Sequence, residues 1–282
     1  MEQLKTINAL RECLAVKSKA EIKIALVPTM GNLHEGHLTL VKKAQSLADY
    51  VVVTIFVNPT QFVVGEDFDN YPRTLDRDLD YLKHLNVDLV FIPNMVEIYP
   101  NSVQITTEVI VPELDAIYCG EYRPGHFKGV ATVICKLFNI IQPDIAVFGE
   151  KDYQQLLVIR SLVKNLNLPI KIYSGATIRE TDGLAMSSRN KYLTLSERER
   201  APLLFKAIID VAESIKRGRS DYENLEKNSI SSLITAGFRP EYFSVCDSKT
   251  LKKPVNQELV ILASAWLGKA RLIDNITLQS YD

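Results

Sequence analysis

Two histidines, His34 and His37, stand three residues apart in a glycine-containing segment between a short apolar run and a helical pattern. These surroundings predict a strand, a tight turn and the start of a helix. A helix N-terminus carries unpaired N–H groups and the positive end of the helix dipole, so it suits a phosphate group. Histidines there add donors that can follow developing charge. The segment Met30–His37 therefore predicts nucleotide chemistry at the carboxyl edge of a parallel sheet.

Two other interpretations of the histidine pair stay open at this point. Zinc proteases place their paired histidines four residues apart within H-E-x-x-H, whereas the spacing here is three and no third ligand stands out. The segment also fits a corner in which glycines simply permit close packing of a strand on a helix. Other polar segments are needed to separate these alternatives.

Two such segments follow other predicted strands. Asn58 and Gln61 are neutral hydrogen-bonding groups beside an apolar pair, which suits a small polar substrate. Lys151, after a later strand, can meet phosphate as a point charge. Asp152 is a natural helix N-cap. Gln155, one turn into that helix, is expected to face the same site at the carboxyl edge of the sheet. Because these strands are expected to end at one sheet edge, the side chains should gather near the histidines.

A polar loop later in the chain carries Ser187, Ser188 and Arg189 after Met186. Two hydroxyls and a guanidinium suit a mobile phosphate clamp. Serine–arginine loops are also common surface features, so the loop alone is a weak signal.

An acidic run, Asp76, Asp78 and Asp80, follows the segment Tyr71–Thr74. Its spacing favours a solvated helix face. The alternative is that Asp78 binds a magnesium hydrate beside a bound nucleotide.

The elements that would position these residues alternate between short β-branched runs and helical patterns through the first half of the chain. This alternation predicts an α/β fold with a Rossmann-like, doubly wound parallel sheet. The predicted strands are Ile22–Val27, Tyr50–Val57, Asp88–Ile92, Asp144–Phe148 and Ile170–Tyr173, with Asn101–Val111 as an extra strand. The predicted helices are Gly36–Asp49, Leu75–Leu85, Pro112–Tyr118, Gly125–Ile141 and Asp152–Asn167.

The second half has a different order of elements. A long helix, Ser196–Arg217, is expected with Ser196 as its N-cap, followed by a helix at Asp221–Ala236. Three strands should then form a small antiparallel sheet packed on these helices. They are Glu241–Cys246, Leu259–Ala265 and Ala270–Thr277. The change of composition near Gly175–Arg189 predicts a domain boundary.

Bulk properties fit one large domain or two modest ones. Of the 282 residues, 33 are basic and 34 acidic, a net charge of −1 that gives no bulk case for binding nucleic acid or an anionic membrane. No apolar run reaches membrane-spanning length, and the N-terminus lacks the apolar core of a signal peptide. The four cysteines form no C-x-x-C pair. We expect a soluble cytoplasmic protein with reduced thiols.

Taken together, the motifs resemble those of one enzyme family. Met30–His37 is similar to the H-I-G-H signature of the nucleotidyltransferase superfamily, and Met186–Arg189 is similar to its K-M-S-K-S counterpart. The chain also contains, in order, F-V-N-P-T-Q-F, Y-P-R-T, R-P-G-H-F-K-G-V, F-G-E-K-D and R-L-I-D-N-I. From about residue 20 to 277 it resembles the pantothenate synthetase family, also called pantoate–β-alanine ligases. Small departures lie in the loop after Gln61 and at Ala176, where the family usually has proline.

The resemblance implies a carbon–nitrogen ligase of pantothenate and coenzyme A biosynthesis that works in two steps. ATP and (R)-pantoate give pantoyl adenylate and pyrophosphate, and β-alanine then displaces AMP to form pantothenate. The resemblance also implies a homodimer and ATP carried with Mg²⁺. Residues 1–176 would be a Rossmann-like domain of the nucleotidyltransferase (HUP) type that binds ATP and pantoate. Residues 177–282 would be a smaller α+β lid carrying Met186–Arg189.

The resemblance implies a role for each matching residue. Catalysis is expected of six residues, with His37 as the proton donor: His34, His37, Lys151, Ser187, Ser188 and Arg189. ATP is expected to contact Met30, Gly31, Asn32, Leu33, His34, Glu35, Gly36, His37, Gly149, Glu150, Lys151, Asp152, Ile178, Met186, Ser187, Ser188 and Arg189. Pantoate and β-alanine are expected to contact Gln61 and Gln155, with Asn58 supporting their pocket. No metal ligand is assigned.

Two competing functions stay beside this one. Another adenylyl- or cytidylyltransferase of the superfamily, or a fragment of a class I aminoacyl-tRNA synthetase, would share the histidine and serine motifs. The near-neutral charge argues against tRNA handling. A non-catalytic nucleotide-binding module would not need both histidines, Lys151 and the Met186–Arg189 loop together.

Overall fold

The computed structural model describes residues 1–63, 65–255 and 258–278, which form two compact units. Unit 1 comprises Met1–Glu150 with Gln154–Ala176. Unit 2 comprises Lys151–Tyr153 with the described residues from Thr177 onwards. Within the described ranges no helix is long and apolar enough to span a membrane. The four cysteine thiols are free.

A six-stranded parallel sheet forms the centre of unit 1, so the predicted Rossmann-like sheet is confirmed. Its strands are β1 (Glu2–Leu4), β2 (Ile24–Thr29), β3 (Tyr50–Ile55), β4 (Leu89–Phe91), β5 (Ile145–Gly149) and β6 (Lys171–Gly175). All six residues of β3 are buried, as expected where helices cover both faces of a parallel sheet. The short edge strand β1 was not predicted.

The order of the strands across the sheet is β1-β4-β3-β2-β5-β6. The chain builds outward from β2 to β3 and β4 on one side, then returns to place β5 and β6 on the other. Open α/β sheets bind ligands in the crevice outside the carboxyl ends of the strands at such a switch point. The register pairs Thr29 with Ile55 and Gly149 with Gly175, so the segments after β2, β3 and β5 leave the sheet at one edge.

Eight α-helices accompany this sheet in the described part of the chain up to Asn165. They are α1 (Ile7–Lys19), α2 (Glu35–Gln45), α3 (Leu75–His84), α4 (Met95–Ile98), α5 (Pro112–Asp115), α6 (Cys119–Tyr122), α7 (His126–Ile141) and α8 (Tyr153–Asn165). The four long helices predicted after β2 are present, and the short one predicted at Pro112 is shorter than expected. Helix α2 shows why the apolar spacing works, because Leu40, Val41 and Ala44 all pack into the core against the sheet.

The extra strand predicted at Asn101–Val111 is wrong. This segment forms turns and then an irregular stretch that pairs with no strand in the described part of the chain. Ser102 has a left-handed φ of 79°, which interrupts an extended run. The N–H of Val109 donates to Thr132 Oγ1 on α7 at 2.9 Å instead of to a neighbouring strand. The β-branched composition favours extended backbone but does not reveal whether a sheet edge is available.

Unit 2 contains the small antiparallel sheet predicted for the second half, in the order β7-β8-β9. Its elements are α9 (Leu195–Arg200), α10 (Leu203–Lys216), α11 (Tyr222–Thr235), β7 (Arg239–Asp247), β8 (Leu259–Leu267) and β9 (Ala270–Leu278). Ile208 of α10 and Leu225 of α11 pack with Phe243 and Ile261 of the sheet in one apolar core.

The single helix predicted at Ser196–Arg217 is wrong, because Ala201 and Pro202 divide it into α9 and α10. Proline has no N–H for the helical ladder and its ring clashes with the preceding turn, so it favours a new start. The N-cap is also different. Thr194 Oγ1 accepts from the Glu197 N–H at 3.3 Å, and Glu197 Oε2 accepts from the Thr194 N–H at 2.8 Å.

Candidate active site

The histidine-bearing turn leaves β2 at Thr29 and enters α2 at Glu35. Gly31 and Asn32 are both left-handed, with φ of 78° and 50°, so the chain reverses within two residues. Thr29 Oγ1 donates to the Thr54 carbonyl at 2.7 Å and accepts from the Gly31 N–H at 3.2 Å. The turn is therefore tied to strand β3 as well as to its own strand.

Asp78 on α3 is the main support of this turn. Its side chain is 0% exposed, and it accepts from the N–H groups of Asn32 at 2.7 Å and Leu33 at 2.9 Å. The Thr74 hydroxyl lies 3.1 Å from both carboxylate oxygens. The expectation of a solvated acidic face is wrong for this residue. Since chain donors already meet both oxygens, the geometry favours a structural carboxylate over the magnesium ligand considered as an alternative.

The two histidines stand side by side at the start of α2. Their ring centroids are 4.1 Å apart, and both side chains are partly buried. The His34 N–H donates to His37 Nδ1 at 3.3 Å. A ring nitrogen that accepts a hydrogen bond carries no proton, so the proton of the neutral His37 ring sits on Nε2. Nε2 is therefore the ring nitrogen through which a neutral His37 can donate.

The Asn58–Gln61 segment after β3 is held by a buried polar network. Asn58 donates through Nδ2 to Gln61 Oε1 at 3.1 Å and to the Gly129 carbonyl at 3.2 Å. The Tyr99 hydroxyl donates to Asn58 Oδ1 at 2.8 Å, and burial raises the pKa of this phenol, which keeps it a donor. Gln61 Nε2 reaches Met30 Sδ at 3.0 Å. The structure thus brings Gln61 against the histidine turn.

Helix α7 approaches this segment very closely at Gly129. A Cβ added there would lie 2.1 Å from the Thr60 carbonyl oxygen, a distance that real Cβ atoms do not reach. Only glycine therefore lets α7 pack at this separation.

Gly149, the last residue of β5, and Glu150, which follows it, belong to unit 1. Glu150 Oε1 accepts from Ser174 Oγ at 2.6 Å. A Cβ at Gly149 would meet only Leu40 Cδ1, at an ordinary 3.8 Å, so protein packing does not demand glycine there. A glycine that packing does not require, at a strand end beside the switch point, fits a position where a ligand approaches the backbone.

Two adjacent glutamines at the start of α8 have different surroundings. Gln155, the predicted substrate ligand, is partly buried. Gln154 is buried, donates to the carbonyls of Leu114 and Ile117 at 2.8 Å each, and accepts from the Cys119 N–H at 3.1 Å. Gln154 therefore fixes the α5–α6 connection. Sequence reasoning missed it, since nothing local distinguishes it from its neighbour.

In unit 2 the predicted clamp residues extend from a short hairpin. The Met186 N–H donates to the Ile178 carbonyl at 2.9 Å, and Arg179 forms a β-bridge with Ala185. Ser187 follows, and its Oγ accepts from the Arg189 N–H at 3.3 Å at the start of a 3₁₀ turn. Residues 186–190 are all partly exposed.

Arg179 fixes the base of this hairpin to the rest of unit 2. The sequence interpretation did not assign this residue. Its guanidinium makes a two-pronged ion pair with Asp274 of β9, at 2.6 and 2.9 Å. It also lies 3.4 Å over the Phe205 ring and donates to the Gly183 carbonyl at 3.1 Å. A buried bidentate pair of this kind fixes direction as well as position.

Lys151 and Asp152 belong to unit 2, within the 3₁₀ turn Glu150–Asp152. The Lys151 carbonyl accepts from Asn275 Nδ2 at 3.0 Å. Lys151 and Ser187 line the same small cavity, together with Asp274. The structure therefore groups two of the predicted phosphate contacts within one unit.

In the ranges that the structure describes, no group of three or more His, Cys, Asp or Glu side chains could hold a metal ion.

A doubly wound sheet with a braced histidine turn at its switch point is the arrangement of nucleotidyltransferase-type α/β enzymes. Comparison with known proteins narrows the class. The family model for pantoate-beta-alanine ligase matches residues 2–277. The chain belongs to the pantoate–β-alanine ligase family.

Relatives and solved structures agree with this membership. Pantothenate synthetase of Nitrosococcus oceani is 51% identical over 281 residues, covering 99% of this chain and 98% of the relative. The Shewanella sp. (strain ANA-3) enzyme is 56% identical over 255 residues, 90% of each chain. The Thermus thermophilus pantothenate synthetase structure gives a TM-score of 0.91 at 40% identity, covering 98% of this chain and 99% of that one. The Francisella tularensis ligase, complexed with Beta-gamma ATP and β-alanine, gives 0.80 at 35%, covering 98% and 97%.

Proposed function

We propose that the histidine turn and the Met186–Arg189 loop serve the two steps of the ATP-dependent condensation of pantoate with β-alanine that defines this family. In the first step the pantoate carboxylate attacks the α-phosphorus of ATP, and the bond to pyrophosphate breaks. In the second, the amine of β-alanine attacks the acyl carbon, AMP leaves, and the amine gives up a proton. The observation that carries the proposal is the Asp78-braced turn with its histidines at the sheet switch point.

The first step brings a carboxylate to an anionic phosphate, so donors are needed where negative charge builds up. We assign His34 and His37 to the phosphates, with His37 donating from Nε2. The Nδ1 contact with the His34 N–H supports this choice because it fixes the ring orientation. Lys151, Ser187, Ser188 and Arg189 would hold the triphosphate and the leaving pyrophosphate.

The nucleotide itself would lie along the edge of the sheet. Its other contacts would come from the remaining residues assigned to ATP by resemblance: Met30, Gly31, Asn32, Leu33, Glu35, Gly36, Gly149, Glu150, Asp152, Ile178 and Met186. The absence of a side chain at Gly149, a position where packing does not demand glycine, supports a close approach of the nucleotide to the backbone. The Francisella tularensis structure was obtained with an ATP compound and β-alanine, which supports the same pair of ligands here.

Pantoate and β-alanine are assigned to Gln61 and Gln155, with Asn58 holding Gln61. Neutral amides suit this task because they orient a hydroxy acid without cancelling the charge of its nucleophilic carboxylate. The contacts of Gln61 with Met30 and Asn58 support its place beside the histidine turn.

Mg²⁺ is expected to enter as the complex with ATP, bound mainly by phosphate oxygens and water. The residues named above would supply positioning and hydrogen-bond donors beside this complex.

The loop of residues 181–190 is expected to close over ATP, since an acyl adenylate is hydrolysed in open water. The Arg179–Asp274 pair fixes the base of the hairpin, so closure would involve the exposed residues beyond it. Limited proteolysis with and without ATP and pantoate tests this. Unchanged cleavage within the loop would argue against closure.

Isotopic exchange of pyrophosphate into ATP is the test of the reaction itself. We expect exchange that depends on pantoate. Exchange that depends on an amino acid would instead indicate an aminoacyl-tRNA synthetase-like activity, and no exchange at all would indicate a nucleotide-binding module.

The substrate pocket is tested by Gln155→Ala. Removing the amide should raise the KM for pantoate by about tenfold, the usual scale for a lost substrate hydrogen bond, and should change the KM for ATP much less. Equal changes in both constants would reassign the residue.

We also propose a cytoplasmic homodimer. Free thiols are typical of reducing compartments. The dimer is what the resemblance to the family implies. Sedimentation velocity measures the oligomeric state, and a monomer at micromolar concentration would contradict the dimer.

A further inference from the structure

The backbone carbonyl of Gln61 receives two donors, one from the first residue of α7 and one from Arg123 just before that helix. His126 Nδ1 lies 2.7 Å from this oxygen and Arg123 Nη2 lies 3.3 Å from it. Both Gln61 and His126 are buried, at 9% and 7% exposure. By contrast, the Gln61 side chain has a weak sulfur acceptor in Met30 and a single amide partner in Asn58. The two hydrogen bonds to the Gln61 carbonyl therefore help to fix the backbone of this residue, and with it the orientation of the side-chain amide.

The same contacts define the proton position on His126. Arg123 Nη1 lies 2.9 Å from His126 Nε2, and a guanidinium can only donate. His126 Nε2 must therefore accept, which leaves the proton on Nδ1. From Nδ1 it is donated to the Gln61 carbonyl, which can only accept. Arg123 thus orients the imidazole, and the imidazole in turn orients Gln61.

Glu66 completes the arrangement from the loop that follows Gln61. Its two oxygens accept from Arg123 Nε at 2.5 Å and Nη2 at 2.7 Å, and both side chains are largely buried. Glu66 Oε2 also lies 3.3 Å from the Val63 N–H. This is the loop that differs from the pattern expected from the resemblance. Glu66 links it to Arg123.

We propose that His126 and Arg123 are positioning residues for pantoate recognition, acting through the carbonyl of Gln61, and that Glu66 holds Arg123 in place. This inference rests on the proposed function, in which Gln61 binds pantoate. Neither His126 nor Arg123 needs to touch substrate. Losing them would let the Asn58–Gln61 segment relax, which weakens pantoate binding more than ATP binding.

Two amide substitutions at His126 separate the roles of the two ring nitrogens. His126→Asn places an amide nitrogen at the Nδ1 position, so it keeps the donor to Gln61. His126→Gln extends to the Nε2 position, so it keeps a partner for Arg123 and loses that donor. We expect His126→Gln to raise the KM for pantoate about tenfold, the order of one lost hydrogen bond, with a much smaller change in the KM for ATP. His126→Asn should restore most of the affinity.

Steady-state pantoate-dependent pyrophosphate exchange measures both constants, with His84→Gln, at an exposed histidine of α3, as the matched control. Equal effects of the Asn and Gln variants at residue 126, or equal shifts for pantoate and ATP, would overturn the proposal. Arg123→Lys is a second variant, because one ammonium cannot serve Gln61, His126 and Glu66 together. An unchanged KM for pantoate in that variant would also count against it.

Gln61→Ala separates this inference from the function on which it rests. If that variant raises the KM for pantoate while His126→Gln does not, only the positioning role fails. If Gln61→Ala leaves the KM for pantoate unchanged, the assignment of Gln61 to the substrate fails first.

Discussion

The histidine turn of unit 1 and the Met186–Arg189 loop of unit 2, both assigned to phosphate in the proposed function, are held in place in different ways. In the turn, the backbone around Asn32 and Leu33 is pinned directly by the fully buried Asp78. In the loop, Arg179 and Asp274 fix only the base, and residues 186–190 stay partly exposed. If both regions bind phosphate as proposed, the first would present its donors at set positions, and the second would suit a group that moves during the reaction.

The largest effect is expected from removing the imidazole of His37, the proposed proton donor in the rigid histidine turn. His37→Ala should slow pantoyl adenylate formation by about 10² or more, the usual scale for general acid–base assistance. Pyrophosphate release with ATP and pantoate measures this step. The exposed His84→Ala on α3 is the matched control. Near-normal release by the His37 variant would remove this residue from the mechanism.

A smaller effect is expected from loosening the support beneath the turn. Asp78→Asn replaces an acceptor with an amide N–H₂ that faces other donors, so stability should fall by about 1–3 kcal/mol. Urea denaturation measures this, with the exposed Asp76→Asn on the same helix as the control.

The same variant separates support from metal binding. If Asp78 acts as a support, the Mg²⁺ concentration needed for half-maximal exchange should be unchanged. A large rise in that concentration, with stability equal to that of Asp76→Asn, would show that Asp78 is a magnesium ligand after all.

The smallest effect is expected from the base of the adaptable loop. Arg179→Lys keeps the charge but loses the two-pronged geometry and the stacking on Phe205. We expect a rise of about three- to tenfold in the KM for ATP, on the scale of one weakened charged contact. A KM for ATP equal to that of wild type would show that this ion pair does not prepare the loop.

Arg198→Lys is the control for that substitution, because Arg198 pairs with Asp182 in a largely exposed salt bridge. Exposed pairs contribute about 0–1 kcal/mol. The Arg198 hydrogen bond lowers the pKa of Asp182. Any stabilisation from this pair is therefore present at neutral pH and is lost as the pH falls through the folded-state pKa.

The parallel sheet and the histidine turn could be predicted because their signals are local. Apolar runs and helical spacing indicated β2 and β5 to within two residues and α2 to within four. A strand at Asn101–Val111 could not be judged in the same way, because pairing depends on a neighbour that composition does not reveal. The N-cap of α9 was misplaced because Thr194 and Ser196 offer the same hydroxyl with a glutamate three residues on.

The supports of the candidate site could not be predicted, since each joins residues distant in sequence. Asp78 bonds to residues of the turn more than forty positions earlier, and Asp274 bonds to Arg179 from the last strand. An aspartate in an acidic run resembles a solvated residue until the fold buries it. The residues with chemical roles carried recognisable motifs, whereas these supports depend on tertiary packing.

The bare Cα of Gly129 has a consequence for how this chain can vary in evolution. Even a methyl group there would collide with the Thr60 carbonyl oxygen, so the smallest side chain already forces α7 away from the Asn58–Gln61 segment. Selection at residue 129 therefore acts on the separation between α7 and the Asn58–Gln61 segment, and not on the chemistry of a side chain. Chemical similarity is therefore no guide to the replacements it accepts, and a lineage that changed residue 129 would first have to remodel the backbone facing it.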